Sequence, residues 1–270
     1  MSKSSERSEF EKKFADDVIE VSAVTGPSGV GAGKAGTDIY WNASIDLIAW
    51  RNLHSSGPVV KEELSLEWLV DDEELKKSRE ILKENTVVRL KVRKGQKSMM
   101  LVEVLDTEYK DSDLEIILQE SIKPVFYNDE NLGEFKLDKS TKLFEKKISW
   151  GGEEGNLYFD WDKNEDIMKS SLKSAHGLLK EQDSWNTKIR NYAAEELVEL
   201  ANEWLQDDEE ADIDEITKEM FIDLMELDSI SVYPEGDFEV FFFDGDMFWG
   251  HSIIVTGNIS GELSSAEIAG

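Results

Sequence analysis

His54, His176 and His251 are the scarcest candidates for chemistry in this chain, and His251 lies close in sequence to Asp244 and Asp246. Carboxylates and an imidazole together form a donor set for a divalent cation, on which a metal-dependent hydrolase could be built. The competing reading gives Asp244 and Asp246 to a turn and His251 to a sheet position. Five residues of extended chain span roughly 16 Å, so His251 reaches the aspartates only if the chain folds back. No Gly-x-Ser-x-Gly elbow is present, and no cysteine exists to act as nucleophile, thiolate ligand or disulfide partner. With 59 acids in the chain, a neighbouring carboxylate pair carries no information about acid–base catalysis.

Glycine and lysine invite a phosphate-binding reading at residues 26–36, where five glycines and Pro27 interrupt the pattern. A phosphate cradle needs Gly, four residues, then Gly-Lys-Ser/Thr, because the hydroxyl holds the magnesium ion. Here Gly33-Lys34 is followed by Ala35, and Ser28 stands five residues before Gly33. Spacing and hydroxyl both fail, so a mobile loop or a disordered insertion is expected, and no cofactor is implied.

Charge carries more. The chain has 270 residues with 30 Lys+Arg against 59 Asp+Glu, a net charge of −29. Phosphate recognition needs clustered cations, which argues against nucleic acid and anionic membranes across most of the surface. Residues 1–123 hold 18 bases and 24 acids, net −6, whereas residues 124–270 hold 12 and 35, net −23. The asymmetry suggests two domains, 1–123 and 124–270. Nucleic acid is therefore unlikely for 124–270 and not excluded for 1–123. In the first domain Arg89, Lys91, Arg93, Lys94 and Lys97 form a local basic strand edge, read first as a solvated face. In the second, Asp207, Asp208, Glu209, Glu210, Asp212, Asp214 and Glu215 form an acidic run. It lacks the central glycine of a calcium-binding EF-hand loop and reads as a solvated interhelical segment or a surface for a basic protein.

The elements that must position these residues follow from periodicity. Val18–Val24, residues 37–50 and 64–70, Val87–Arg93 and Met99–Leu105 read as strands. Asp71 and Asp72 offer an N-cap to a short helix over Glu74–Lys83. The first domain is thus a small antiparallel β-rich unit, either a twisted sheet or an OB-like barrel. In the second, Leu132–Leu137 and Phe144–Trp150 form a hairpin, and Gly151–Gly155 turns into Leu157–Trp161. Residues 164–181 and 184–206 show the 3.6-residue period of half-buried helices, and Thr217 caps a third. Ile230–Tyr233 is a strand, and Phe238–Phe243 returns through Asp244-Gly245 as a tight hairpin. The fold class is α+β, the second domain having an antiparallel sheet and two to three helices. The N-terminus has no apolar signal-peptide core and no run of about 18 apolar residues exists, so a cytoplasmic protein outside the membrane is expected.

Leu132-Gly133-Glu134-Phe135-Lys136-Leu137, Phe144–Trp150 with Gly151-Gly152, Trp185–Arg190, Trp204, Phe248–Ile253 and Ala266–Gly270 together resemble a bacterial family, the domain of unknown function 2262. The resemblance covers residues 124–270 and implies no catalytic residue. No family resemblance is evident in the first half. The family is also similar in general look to small acidic proteins that act as immunity partners of bacterial toxins. The expected function is a non-catalytic acidic binding protein of an immunity or defence system, masking a basic effector such as a nuclease toxin. Its contact surface would be the acidic run with the helix-face acids Glu195, Glu196 and Glu199. The alternatives are a metal-dependent hydrolase on Asp244, Asp246 and His251, and a two-domain adaptor.

Overall fold

The computed structural model describes residues 3–55, 57–207 and 213–270. The chain divides into two compact units, Met1–Pro124 with Lys139–Thr141, and Val125–Asp138 with Lys142–Gly270.

In the first unit, β1 (Val18–Thr25), β2 (Gly31–Gly33), β3 (Trp41–Asn52), β4 (Leu64–Val70), β5 (Val87–Lys94) and β6 (Ser98–Asp106) run in the order β1-β5-β6-β4-β3-β2. Because β1 also pairs with β3, five of these strands close on themselves. The helix α2 (Asp72–Ile81) lies between the third and fourth barrel strands, and β4 runs parallel to β6. That is the arrangement of an OB barrel. Strict alternation builds it: Leu64, Leu66, Trp68 and Val70 of β4 are buried, as are Val88, Leu90 and Val92 of β5. Closure leaves β5 between β1 and β6, so the basic strand is interior to the sheet and not an edge. The capping box at α2 is complete, since Asp71 accepts from the Glu74 N–H and Glu74 accepts from the Asp71 N–H.

Three features of this unit depart from the sequence reading. The glycine segment contains β2, whose Gly31, Ala32 and Gly33 pair with Ser44, Ala43 and Asn42. Backbone groups alone make that ladder, so no side-chain pattern announces it. A helix, α1 (Lys3–Glu11), precedes the barrel, tied down where the Glu6 carboxylate accepts from the N–H groups of Ile39 and Tyr40. The Tyr40 N–H holds that carboxyl below its ordinary range. A further helix, α3 (Ser112–Ser121), packs Leu114 against Val24, Ala49 and Val87. Its N-cap Asp111 accepts from the N–H groups of Asp113 and Leu114, from Ser22 Oγ at 3.1 Å and from Arg51 at 2.8 Å.

In the second unit eight strands form one sheet in the order β14-β13-β12-β11-β10-β9-β8-β7. They are β7 (Phe126–Asp129), β8 (Gly133–Asp138), β9 (Leu143–Trp150), β10 (Glu153–Asp160), β11 (Glu226–Val232), β12 (Asp237–Phe243), β13 (Ser252–Asn258) and β14 (Leu263–Ala269). The helices α4 (Glu165–Lys180), α5 (Gln182–Gln206) and α6 (Lys218–Leu224) all fall between β10 and β11. A chain that crosses over through helices returns to the end of the sheet where it started, so β10 and β11 pair in parallel. Every other neighbouring pair is antiparallel, which makes the sheet mixed rather than wholly antiparallel. The core is aromatic: Phe135, Trp150, Phe159, Phe221, Phe238, Phe242 and Phe248 are fully buried.

Burial extends to phenols. The Tyr233 hydroxyl donates to Glu239 Oε2 at 2.9 Å, and burial with that carboxylate beside it pushes its pKa up to about 12. Burial also raises Tyr127 and Tyr158. A group raised above its unfolded value favours folding below that value, near 10 for tyrosine, and loses the contribution as pH climbs through the folded pKa. Spectrophotometric titration is therefore expected to show Tyr127, Tyr158 and Tyr233 ionising late, with Tyr233→Phe removing the last of them. Six tyrosines ionising together near the free-phenol value in folded protein would contradict this.

Candidate functional site

The buried stripe of α5 comprises Ile189, Arg190, Ala193, Ala194, Leu197 and Ala201. Its opposite face is acidic. Glu195, Glu196, Glu199, Glu203 and Asp207 are all exposed. Glu196, Glu199, Glu203 and Asp207 are spaced by three or four residues, so they stack on one side of the helix. Such like-charged neighbours disfavour a helix by about 0.2–0.5 kcal/mol per pair. The negative end of the helix dipole adds to this, because the row runs into the C-terminal turn. The one ion pair made by Glu195 is weak in geometry, 3.9 Å from Lys218. Asp214 and Glu215 are exposed just before α6, where Thr217 is the N-cap. Asp208, Glu209, Glu210 and Asp212 lie outside the described residues. Over residues 201–270 the sequence has 19 acids and a single base, Lys218.

The hydrolase candidates sit in a loop that the tight-hairpin reading does not anticipate. After β12 the chain takes eight residues, 244–251, before β13 begins at Ser252. Asp244 explains the length. Only 3% exposed, its carboxylate accepts from the N–H groups of Asp246 at 3.2 Å, Phe248 at 2.7 Å and Gly250 at 3.0 Å. The loop is wound around this acceptor, and Gly245, Asp246, Trp249 and Gly250 all take positive φ. At Gly245 a side chain is excluded, since a Cβ would lie 2.5 Å from the Leu224 carbonyl oxygen. Asp246 points to solvent, and His251 Nδ1 lies 2.6 Å from the Phe248 carbonyl oxygen. Among the described residues no group of three or more His, Asp or Glu side chains is placed to hold a metal ion.

What the loop presents is aromatic. Phe248 is buried against Trp204 and Phe221, whereas Trp249 is 60% exposed, with its ring 4.8 Å from that of Trp204. The His251 ring meets Trp204 edge-on at 5.3 Å.

Beneath α5 lies a buried polar network. Arg190, 6% exposed, donates from Nε to Asn186 Oδ1 at 3.0 Å and from Nη1 to the carbonyls of Ile222 at 3.1 Å and Met225 at 2.6 Å. Its Nη2 pairs with Glu153, whose other oxygen accepts from the Leu227 N–H at 2.6 Å. Trp150 Nε1 donates to the same Asn186 oxygen at 3.0 Å, and Phe242 lies under the guanidinium. Burial lowers the pKa of Arg190, opposed by Glu153 and Asp223. One cation thus ties α5 to β10, to the end of α6 and to the start of β11.

Residues 129–268, just over half the chain, match the family described as an uncharacterized protein conserved in bacteria, DUF2262. The chain belongs to this family. Residues 6–121 match a second description, a domain of unknown function, DUF7021, so the first half is not without relatives. No curated protein and no solved structure matches the chain.

The residues that carry the DUF2262 resemblance gather in two places. Trp150, Asn186 and Arg190 meet in the buried network. Trp204, Phe248, Trp249 and His251 meet at the loop. The first is structural, and the second reaches the surface. In the barrel three of the four cations of β5 are paired with carboxylates, Arg89 with Glu20, Lys91 with Glu103 at 2.6 Å and Arg93 with Asp16 at 3.3 Å, and the fourth, Lys94, lies over the Trp50 ring at 4.5 Å. OB folds take oligonucleotides on their second and third strands. Where the equivalent β3 and β4 pair, the outward positions are Asn42, Ser44, Asp46, Ser65, Glu67 and Leu69, and the cation farther along β3, Arg51, is paired with Asp111 and Asp113. No helix among the described residues is long and apolar enough to cross a membrane.

Proposed function

We propose that this DUF2262 chain is a non-catalytic acidic binding protein whose partner is a basic protein. The observation that carries the reading is the exposed row Glu196, Glu199, Glu203 and Asp207 on α5. A helix gains nothing in stability from four stacked carboxylates at its negative end, so the row is better explained by what it meets than by what it supports. Complementary charge of this kind speeds encounter and selects the partner. A cytoplasmic immunity or defence protein that covers the active site of a basic effector, such as a nuclease toxin, fits this surface. A two-domain adaptor is the second reading, favoured by the separate cores of the two units and their separate family matches.

The test trades stability against binding. The triple variant Glu196→Gln, Glu199→Gln, Glu203→Gln is expected to melt at or above the wild-type temperature, since it removes about 0.2–0.5 kcal/mol of repulsion per pair. The same variant is expected to bind a labelled nona-lysine peptide several-fold more weakly at low salt, with the difference shrinking as salt rises. Equal binding by variant and wild type, or no binding by the wild type at low salt, would sink the reading.

A further inference from the structure

Trp249 is 60% exposed, and its one ring contact among the described residues, with Trp204, does not bury it. Its backbone has φ of 55°, the left-handed region that bulky residues avoid, at a cost on the order of 1–3 kcal/mol. The loop's apolar anchoring is supplied by Met247 and Phe248, which are 5% and 0% exposed. Asp244 supplies the loop's shape through three N–H acceptor contacts. The result of this construction is an indole presented at the surface, its ring 4.8 Å from that of Trp204 and tilted 55° against it. Tryptophans are over-represented at interface hot spots.

The surroundings define the occupant. Trp204 belongs to the acidic end of α5, with Glu203 before it and Asp207 one turn after it, both exposed. Asp246, also exposed, precedes Trp249 in the loop. A neutral apolar ligand would leave these carboxylates unmatched. A guanidinium satisfies both components, because it is planar and weakly hydrated, stacks on an indole and still donates in its own plane to carboxylates. An ammonium does so less well, being a compact and strongly hydrated point charge.

We propose that the Trp204–Trp249 pair is the contact point for an arginine side chain of the basic protein partner. The inference rests on the acidic-surface reading above and adds to it a chemical preference. The carboxylate row draws in any cation, and the tryptophan pair selects arginine.

Labelled nona-arginine and nona-lysine, equal in charge, separate the two claims by fluorescence anisotropy on the full chain at low salt. The wild type is expected to prefer nona-arginine. Trp249→Ala, which removes a mostly exposed ring, is expected to weaken nona-arginine about 2- to 5-fold and to leave nona-lysine almost unchanged. In ¹⁵N-labelled protein the Trp249 indole cross-peak, assigned by its loss in that variant, is expected to move on adding nona-arginine. Trp249→Phe keeps a ring and is expected to fall between the two. An arginine preference that survives in Trp249→Ala, or an indole signal that stays still, overturns the inference. Equal binding of both peptides by the wild type overturns it while leaving the acidic surface standing. Failure of both peptides to bind the wild type removes both claims.

Discussion

Arg190→Ala is expected to destabilise the second unit by about 3–5 kcal/mol, the range for breaking a buried ion pair by removing one partner. The size follows from what is stranded. Glu153 keeps its contact with the Leu227 N–H but loses its cation. The carbonyls of Ile222 and Met225 lose a donor, and Asn186 loses one of two. These groups sit where α6 hands the chain to β11, so the parallel β10–β11 pairing is the element most exposed to the loss. Hydrogen exchange is expected to show the amides of β10 and β11 opening first, and urea unfolding to give the magnitude. A double-mutant cycle sharpens the test. In the Arg190→Ala background, Glu153→Ala is expected to cost much less than in wild type, because its charge is already uncompensated. A loss under about 1 kcal/mol for Arg190→Ala would mean that the network contributes no more than a surface pair.

How far the sequence foretells this molecule depends on the distance over which each feature is determined. The capping box at Asp71 and Glu74, the alternation in β4 and β5, and the apolar stripes of α4 and α5 are local, and periodicity finds them. The OB-like closure is among the expected forms, and the β1–β3 pairing that completes it runs from Val21 with Asn52 to Thr25 with Leu47, beyond the reach of any local pattern. α1 is invisible because its anchor, Glu6, finds its partners at Ile39 and Tyr40. α3 was readable, since Asp111 followed by Leu114 is an N-cap before an apolar position, and only the short length of the stripe hides it. The Arg190 network draws on Glu153, Asn186, Ile222, Met225 and Leu227, and no spacing rule connects them. The basic strand shows the complementary case. Its charges are plain in sequence and stay partly solvated, but their partners Glu20, Glu103 and Asp16, and the place of β5 between β1 and β6, come from distant segments that the local pattern does not show.

Asp244→Ala is expected to be the second most damaging of these changes, on the order of 3 kcal/mol, because it strands the buried Phe248 N–H and takes the acceptor from those of Asp246 and Gly250. The Asp-Gly step at 244–245 is the usual mark of a two-residue turn, yet the chain here uses the aspartate as an internal acceptor for a loop of eight. Two oxygens serve three N–H groups, with Oδ1 taking Asp246 and Oδ2 taking Phe248 and Gly250. Asp244→Asn keeps one oxygen and turns the other into a donor, so it is expected to fall between wild type and alanine. The emission of Trp249 and the Trp204–Trp249 contact report the loop directly, and both are expected to change more than the far-ultraviolet signal. The same geometry bears on the hydrolase alternative. Asp244 is buried, gives three of its lone-pair sites to N–H groups and has no companion ligands placed beside it among the described residues, so Mg²⁺, Mn²⁺ or Zn²⁺ is expected to leave the melting temperature unchanged. A metal-induced rise that disappears in Asp244→Asn would show instead that the loop reorganises around an ion, and the role assigned to Asp244 would have to be abandoned.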